Sequence, residues 1–462
     1  MIISIRRKKI IIPLLAISFL IPPNHSLKNV NISIGPYTQN VSNDSITIVW
    51  ETDVATSINY VEYWNDEQKY VAYDNTTSIH HEITISPSFS SGYYRVSSDG
   101  VKSKEYRFKL ARYCYETGKF RCIIYGDSRG KWDNWKHAKE VASAINMEKP
   151  DIVIHCGDLV EDGRETEQWD EWLDFMMPLM QNATLFTALG NHERNASRYY
   201  EIFALPNNEM WYSFYYGPCH FIILDNYAPW DETSSQYKWL ERELAKPATF
   251  KIVCFHEPIY CSGGHSPRKD IRKVWEPLFI KYDVDIVFQS HNHYYQRTNP
   301  IDGIIYVVSG GGGAPLYDPG FAPYINKSVK AYHYCILDVN LSNMEMNFYA
   351  KDVDDNIIDN LVFTWGGVEI EIVKPENGLY IFNRKVTDLP YPVIIGKIDI
   401  VVNVTGDIEG IEFYIDGNFK FNDTAPPYEW TWDEFAIGQH EIMAKIRGEN
   451  ISSKKDVIIF NI

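Results

Sequence analysis

From residue 119 onward the chain repeats one pattern, a short and almost wholly apolar run followed at once by a polar cluster. Runs without alternating polar residues are typical of strands buried on both faces, as in a sheet covered by helices. Between the first two runs, apolar residues recur at three- and four-residue spacings, which predicts an amphipathic helix. The runs are residues 122–125, 152–155, 185–189, 221–224 and 252–255. Together they predict a layered α/β domain over residues 113–365.

Short strand patterns precede this domain. Residues 45–50, 61–64 and 93–96 are rich in β-branched and aromatic residues, and turn residues separate them. They predict a small β-sandwich of fibronectin type III-like character over residues 27–112.

Strand patterns return beyond the α/β region. Residues 411–415 alternate and are followed by Asp416-Gly417, a hairpin-turn signal, and residues 440–444 continue the strand-like text. They predict a second, immunoglobulin-like β-sandwich over residues 366–462.

The first residues have the character of a targeting segment. Basic residues at 6–9 precede an apolar run at 10–21, which has signal-peptide length and is too short for a conventional transmembrane helix. Because no clear cleavage site follows, residues 1–26 are predicted to be a signal peptide or an uncleaved N-terminal anchor. No second long apolar segment exists, so we expect no integral membrane span after the signal and a secreted protein, extracellular or at the cell surface.

The net charge and the cysteine content limit which partners and which disulfide bonds can be expected. The formal net charge is −17, without a basic face, so nucleic acid and anionic membrane surfaces are not expected partners. The chain has seven cysteines, an odd number. Cys122, Cys156 and Cys254 lie in the apolar runs and are interpreted as buried and inert, and no disulfide framework is inferred.

The polar clusters that follow the runs carry potential metal ligands. At the carboxyl ends of parallel strands, such clusters meet where open α/β sheets bind ligands. Two carboxylates, one amide and three imidazoles suit a pair of divalent or trivalent metal ions. These predicted ligands are Asp127, Asp158, Asn191, His256, His291 and His293.

In this order the clusters resemble those of the calcineurin-like metallophosphatase superfamily and, within it, the purple acid phosphatases. The likeness covers roughly residues 35–347 and includes the sequences WYSF, SGGH and GGGGAP that begin at residues 211, 262 and 310. It implies a multidomain chain with a central four-layer αββα metallophosphatase sandwich flanked by two all-β sandwiches. It also implies a binuclear-metal enzyme with acid-phosphatase-like activity that hydrolyses phosphate monoesters by attack of metal-activated hydroxide.

The resemblance divides the ligands between two metal ions. Asp158 would bridge the ions, Asp127 and His293 would complete one site, and the other site would contain Asn191, His256 and His291. No other cofactor is implied. Purple enzymes carry a tyrosine three residues after the bridging aspartate, whereas this chain has Glu161. The charge-transfer colour is therefore expected to be absent, and the metals remain open as Fe, Zn, Mn or a mixture.

Three more residues have predicted catalytic roles. His192 matches a histidine that stabilises the transition state or protonates the leaving oxygen, with a hydrogen-bond partner of a ligand as the alternative. Arg129 either clamps a phosphate oxygen or forms a salt bridge with Glu161 or Asp162. His265, in a glycine-rich loop, matches a histidine on the substrate side, and a loop histidine without a role is the alternative.

Smaller questions concern the walls of the site. Glu161 could replace the missing phenolate or be a solvated carboxylate. Tyr294 and Tyr295 either wall the pocket or pack beneath the sheet. The glycines at 310–313 would allow close backbone approach to the metal centre.

Two other functions remain compatible with these motifs. The same site could act as a phosphodiesterase or nucleotidase on a small phosphorylated substrate, because pocket shape sets ester choice. The chain could also be a cell-surface binding protein with an inert core. The C-terminal sandwich could contact a surface glycan or a protein, or act as a passive spacer.

Overall fold

The computed structural model describes residues 30–364, 369–405, 408, 410–447 and 452–461. The predicted targeting segment at 1–26 and the predicted boundary between residues 365 and 366 lie outside the described residues. Within the described part, no helix combines the length and apolarity that a membrane crossing requires. The chain divides into two compact units, one of residues up to 338 with 349–360, the other of 339–348 with 361–462. The predicted boundary after residue 112 falls inside the first unit and stays a prediction.

The N-terminal residues form two facing sheets. One has the strand order β1-β2-β5, and the other has the order β4-β3-β6-β7 with β8 also paired to β6. Trp50, fully buried, donates its indole N–H to Ser98 Oγ of the opposite sheet at 2.9 Å. This is a β-sandwich, and its fibronectin type III-like character stays a prediction. The strands are β1 (Ile32–Gln39), β2 (Ile46–Thr56), β3 (Asn59–Trp64), β4 (Lys69–Asp74), β5 (Ser78–Ile85), β6 (Ser91–Ser98), β7 (Val101–Lys102) and β8 (Tyr106–Lys109).

The central domain alternates strands and helices, as its apolar runs predict. Each of the five runs lies in or overlaps a strand, and the predicted amphipathic helix is α2. The elements are α1 (Tyr113–Thr117), β9 (Lys119–Tyr125), α2 (Lys136–Met147), β10 (Ile152–His155), α3 (Thr166–Met180), β11 (Thr184–Thr187), α4 (Ser197–Ile202), β12 (Tyr212–Tyr216), β13 (Cys219–Ile223), α5 (Ser235–Leu244), β14 (Phe250–Cys254), α6 (Lys269–Lys281), β15 (Ile286–Gln289), β16 (Tyr295–Thr298), β17 (Ile305–Ser309), β18 (Ile325–Val329), β19 (His333–Asn340), β20 (Glu345–Asp352) and β21 (Ile357–Thr364).

These elements form four layers. The two central sheets have the orders β11-β10-β9-β19-β20-β21 and β12-β13-β14-β15-β17-β16-β18. Phe186 and Phe214 stack between the sheets with ring centroids 3.7 Å apart. On one outer face Trp172 of α3 packs edge-on against His155, and on the other Trp275 of α6 joins the core beneath β13, β14 and β15. The predicted αββα sandwich is confirmed.

The N-terminal sandwich is attached to the central domain by buried hydrogen bonds. Tyr37 donates its hydroxyl to the carbonyl of Ile202 at 2.7 Å, and Thr38 donates to the carbonyl of Met180 at 3.2 Å. Because buried polar groups that lose their partners are costly, these bonds fix the first sandwich against α3 and α4.

The C-terminal residues form another two-sheet sandwich. Its sheets have the orders β22-β26-β29 and β24-β23-β25-β31-β30-β27-β28 around a buried apolar core. The predicted turn at Asp416-Gly417 has φ angles of 49° and 77°, as a two-residue hairpin turn requires. The strands are β22 (Glu369–Lys374), β23 (Gly378–Ile381), β24 (Arg384–Thr387), β25 (Pro392–Ile395), β26 (Ile398–Thr405), β27 (Ile411–Ile415), β28 (Asn418–Asp423), β29 (Tyr428–Trp432), β30 (Ala436–Ile446) and β31 (Ser452–Asn461).

All seven cysteines are free and buried. Burial raises the pKa of the Cys114 thiol to about 12, so the reactive thiolate is scarce at neutral pH. We expect an aromatic disulfide reagent to label essentially no thiol in the native protein and all seven after unfolding in guanidinium. Rapid labelling of the native chain, or fewer than seven thiols in the unfolded one, would contradict this arrangement.

Candidate metal centre

The predicted ligands lie in loops at the carboxyl ends of parallel strands from both central sheets. Asp127, Asp158 and Asn191 follow β9, β10 and β11, whereas the three histidines follow β14 and β15. A hydrogen bond of 2.8 Å from His256 Nδ1 to the carbonyl of Cys156 joins loops of the two sheets. Residues far apart in sequence therefore meet at one edge of the sandwich.

A first group of ligand atoms converges on His256. Its Nε2 lies 3.1 Å from His291 Nδ1, 3.3 Å from Asn191 Oδ1 and 3.4 Å from Asp158 Oδ2. Ligand atoms of Asp158, His256 and His291 all lie within 4.8 Å of one another. This group matches the three ligands, plus the bridging aspartate, that the sequence assigns to one metal ion.

A second group contains Asp127 and His293, with His293 Nε2 3.4 Å from Asp127 Oδ1. Asp127 is fully buried, and its Oδ2 accepts hydrogen bonds from Ser290 Oγ and, at 2.8 Å, from the backbone N–H of His291. Its Oδ1 accepts no hydrogen bond from the described residues. Because a buried carboxylate oxygen without a donor is costly, this atom fits a cation in the position predicted for the second ion.

Hydrogen bonds at Nδ1 orient two of the predicted histidine ligands. Nδ1 of His256 contacts the carbonyl of Cys156, and Nδ1 of His293 contacts the carbonyl of Pro315, each at 2.8 Å. Because a carbonyl oxygen only accepts, each Nδ1 carries the proton. Each Nε2 therefore faces the carboxylates and presents its lone pair when it is deprotonated, which is the arrangement of metal-binding histidines.

The electrostatics of the first group favour a positive charge among its atoms. Burial opposes ionisation of Asp158, but His256 and His192 outweigh it and hold the pKa of the carboxyl well below its usual value. Burial also opposes protonation of His256, but Asp158 and Asp127 raise its pKa to about 10. Burial, and then the charge of His256, lower the pKa of His291 to about 3. The carboxylates therefore stabilise one cation here, which a metal ion would supply in place of the proton.

Three predicted ligands have left-handed backbone conformations. Asp127, Asp158 and His291 have φ angles of 59°, 58° and 65°. Such conformations are uncommon for non-glycine residues and cost about 1–3 kcal/mol each. These conformations persist because contacts with the surrounding loops fix the predicted ligand side chains.

The glycines that precede ligands have two different functions. Gly157 has φ +94°, so it provides a sharp turn before Asp158. Gly126 and Gly190 have no such angle, and there the requirement is space. A Cβ on Gly126 would overlap Ser290 Oγ, and one on Gly190 would overlap Asp158. At these two positions glycine therefore permits close packing between loops.

His192 lies beside the first ligand group. Its Nδ1 donates to the carbonyl of Glu161 at 2.5 Å, and its Nε2 lies 3.8 Å from Asp158 Oδ2. Its backbone N–H also donates to Asp158 Oδ1 at 3.0 Å. The imidazole thus reaches the edge of the metal centre, and a catalytic role stays a prediction.

Arg129 forms the ion pair that the sequence leaves open. Its Nη1 contacts both carboxylate oxygens of Glu161, at 2.6 and 2.8 Å. Its Nε–H is buried, donates to no partner within the described residues and lies 3.8 Å from Asp158 Oδ2. Glu161 is therefore engaged by Arg129, while one guanidinium N–H still faces the centre.

His265 lies beside the predicted ligand His291. Asn292 holds its backbone, accepting from the N–H at 2.6 Å and donating to the carbonyl at 3.1 Å. The His265 ring lies 4.3 Å from the ring of His291. Tyr317, which the sequence does not single out, stacks on His293 with centroids 4.1 Å apart.

Tyr294 and Tyr295 are fully buried and pack, so the alternative of a pocket wall is not realised. The hydroxyl of Tyr294 donates to the carbonyl of Gly263 at 2.8 Å, and that of Tyr295 donates to Asp359 at 2.6 Å. The expected close approach of the glycine run is present at Gly310, where a Cβ would lie 2.8 Å from Asp127 Oδ2.

Glu193 is a site residue that sequence reasoning missed. It is fully buried, and its carboxylate accepts from the backbone N–H groups of Gly190, Asp158 and Leu159 at 2.6, 2.9 and 2.7 Å. Burial, and then the charge of Asp158, raise the pKa of Glu193 to about 7. One carboxylate therefore fixes the loops of two ligands. The signal available was its place in the Gly190–Glu193 cluster, but its partners are backbone atoms of another loop.

Glu193→Gln is expected to weaken metal binding or activity by about 10- to 100-fold, because an amide N–H₂ would face backbone donors. Metal titration and steady-state hydrolysis measure the change. Glu201→Gln, at a partly exposed glutamate on α4, is the matched control and should leave both within about twofold. Wild-type metal affinity and activity in Glu193→Gln would show that this carboxylate does not position the ligand loops.

Comparisons with known proteins agree with this geometry. The family model described as calcineurin-like phosphoesterase matches residues 120–295, and the model described as bacterial Ig domain matches residues 369–444. Purple acid phosphatase from Glycine max is 25% identical over 357 residues, covering 69% of this chain and 76% of the relative. Phosphoenolpyruvate phosphatase from Allium cepa is 24% identical over 353 residues, covering 68% and 72%.

A solved structure extends the likeness to the fold. A purple acid phosphatase from seeds of yellow lupin (Lupinus luteus) superposes with a TM-score of 0.64 at 21% identity. The superposition covers 71% of this chain and 74% of the lupin protein. At this identity the comparison shows a shared fold.

Proposed function

This chain contains a calcineurin-like phosphoesterase domain followed by a bacterial Ig domain and is related to purple acid phosphatases, and from that premise we propose that it hydrolyses phosphate monoesters at the site described above. The observation that carries the proposal is the convergence of oxygen and nitrogen donors around Asp158 and His256, together with the buried Asp127 oxygen that lacks a donor. The relatives support the general class, a binuclear metallophosphatase. Specificity for monoesters and secretion are proposed here in addition to that class.

The chain's own residues prepare the site for two cations. Asp127 and Asp158 are buried carboxylates, and His256 and His293 present Nε2 lone pairs to them. Two metal ions bound there, Fe, Zn or Mn, would supply Lewis acidity toward the phosphate and lower the pKa of a bound water. Asp158 is proposed as the residue shared by both ions, because it lies 3.4 Å from His256 of the first group and its charge acts on Asp127 of the second.

His192 is proposed as the proton donor to the leaving alcohol. Its Nδ1–H is already used by the carbonyl of Glu161, so Nε2 is the nitrogen that can deliver a proton to a substrate. That nitrogen lies 3.8 Å from Asp158, at the edge of the proposed metal site. The hydrogen bond to the carbonyl of Glu161 fixes the ring, so Nε2 is already directed for the proton transfer.

Arg129 and His265 are proposed to contact the phosphate. Arg129 is held by Glu161 at Nη1, which leaves its partner-free Nε–H to donate to a phosphate oxygen. The His265 ring lies beside that of His291. A phosphate between them would meet donors from two directions, which orients it for attack.

The proposed location is outside the cell or at its surface. The support is the basic and apolar pattern of residues 1–21, which has the composition of a signal peptide. The Ig-like domain is proposed as a spacer or a contact with a surface glycan or protein.

Steady-state hydrolysis of an aryl phosphate monoester and the matched bis-aryl diester tests the function. The metal-reconstituted full chain should turn over the monoester with the larger kcat/KM. A preference for the diester would replace the proposal with phosphodiesterase activity on the same site. No turnover of either ester, with two equivalents of metal bound, would favour a binding protein with an inert core.

A further inference from the structure

A cleft of about 540 Å³ lies beside the metal centre and has no part in the chemistry described so far. Loops after β11 and β13 and the residues that lead into β12 line it. It begins at Asn191, one of the predicted ligands, and extends away past Arg194 and Trp211. A substrate whose phosphate occupies the centre would therefore have space for its alcohol on this side.

Tyr227 links the cleft to the centre. Its hydroxyl donates to Asn191 Oδ1 at 3.4 Å, and its ring centroid lies 6.3 Å from that of His256. Tyr227 is 43% exposed and lines the cleft. His192, the proposed proton donor, is the residue next to Asn191 in the chain. Asn191 therefore belongs both to the predicted ligand set and to the wall of the cleft.

The other walls combine apolar and aromatic side chains with polar ones and one cation, Arg194, whose charge also acts on Asp162. Met210 and Trp211 also line the cleft, and both are partly exposed. Within the described residues, the indole N–H of Trp211 and the guanidinium of Arg194 have no hydrogen bond or ion pair. Asp225, the one carboxylate of the lining, is 3% exposed and accepts from the backbone N–H of Tyr227 at 2.8 Å.

We infer that this cleft binds the alcohol portion of the phosphate ester and selects an aromatic alcohol that carries an anionic substituent. The inference rests on the proposed function and names its substrate class. Planar rings gain from packing on Trp211 and Tyr227 in a way that a saturated ring of equal size does not. Arg194, which is exposed, attracts the anionic group. The buried carboxylate of Asp225 repels a second negative charge, so the anionic group is expected beside Arg194.

Three phosphate monoesters with similar leaving-group acidity test this assignment. They are 2-cyclohexylethyl phosphate, 2-phenylethyl phosphate and 2-(4-carboxyphenyl)ethyl phosphate. For the metal-reconstituted wild type, kcat/KM should rise about 3- to 10-fold from the first to the second. At low ionic strength it should rise a further 2- to 5-fold, roughly, from the second to the third.

Variants assign each step to its side chain. Trp211→Ala should remove the preference for the phenyl ring, whereas Trp211→Phe should keep it. Arg194→Met should remove the gain from the carboxylate and leave the phenyl preference. Trp64→Ala, at a partly buried tryptophan of the N-terminal sandwich, is the matched control and should change neither ratio. Should Trp211→Ala not fold, Trp211→Leu keeps an apolar side chain without the ring and should give the same loss.

The outcomes separate the inference from the function on which it rests. Turnover of all three esters at equal kcat/KM, or ratios unchanged in Trp211→Ala and Trp211→Leu, would overturn the cleft assignment and leave the phosphatase standing. Absence of turnover for all three by the metal-loaded wild type would overturn both. A phenyl preference that disappears with Trp211→Ala, together with a carboxylate gain that disappears with Arg194→Met, supports the inference.

Discussion

Asp158→Asn is expected to lower kcat/KM for an aryl phosphate monoester by roughly 10²- to 10⁴-fold while the chain still folds. Asparagine keeps the size of the side chain and an acceptor for the His192 N–H, 3.0 Å from Asp158 Oδ1. It removes the negative charge that faces His256 and Arg129 at 3.4 and 3.8 Å. Loss of one charge from a buried, compensated group costs about 3–5 kcal/mol, which corresponds to that range of rates.

The matched control lies in the same loop. Asp162→Asn removes a carboxylate four positions later whose partner is Arg164, at 2.8 Å, and it should leave kcat/KM within about twofold. Circular dichroism and metal analysis of both variants separate lost chemistry from lost structure. An Asp158→Asn protein that holds two metal equivalents and keeps more than about a tenth of wild-type activity would contradict the shared-ligand assignment.

The ligand positions were predictable because their signal is local. Each ligand follows an apolar run within a few residues, and parallel strands place their carboxyl ends at one edge. The residue types also carry the chemistry, since carboxylates and imidazoles are what divalent metals bind. The sequence therefore predicts both the α/β layers and the edge at which the donors meet.

The residues that position the ligands could not be predicted in the same way. Glu193 acts by accepting hydrogen bonds from backbone N–H groups of the Asp158 loop, which lies about thirty-five positions earlier in the chain. Arg129 had two candidate carboxylates nearby, and the choice of Glu161 depends on loop geometry. Gly126 and Gly190 look like turn residues, yet what they provide is room for Ser290 and Asp158.

The aromatic residues show the same limit. Tyr294 and Tyr295 are adjacent to a ligand in sequence, yet strand pairing and burial turn both away from a pocket wall. Tyr317 lies 24 positions after His293 and stacks on it, and Trp211 precedes β12, far in sequence from most of the ligands. Proximity in sequence therefore locates the predicted ligands better than it locates the side chains packed around them.

Removal of the metal ions is expected to lower the thermal stability of the first compact unit and to leave that of the second unchanged. All six predicted ligands belong to the first unit. Without cations, the negative charges of the buried Asp127 and Asp158 carboxylates repel each other, and Asp127 Oδ1 accepts no hydrogen bond from the described residues. An ion at a free concentration about a thousand times its Kd stabilises the folded state by about 4 kcal/mol per site. For a unit of this size, two such sites correspond to a shift in Tm of roughly 10 °C.

Differential scanning calorimetry before and after chelation, and after return of each metal, measures this shift. The transition of the C-terminal sandwich is the internal control, because none of the predicted ligands lies in it. Asp158→Asn supplies a second control, since its first transition should lie close to that of the apo protein and respond less to added metal. A first transition that chelation leaves in place would mean that these donors do not hold metal in the folded chain. If both transitions shifted equally, a nonspecific effect of the chelator would explain the result. A shift confined to the first transition, reversed by one of Fe, Zn or Mn at the lowest concentration, would identify the metal that this donor set prefers.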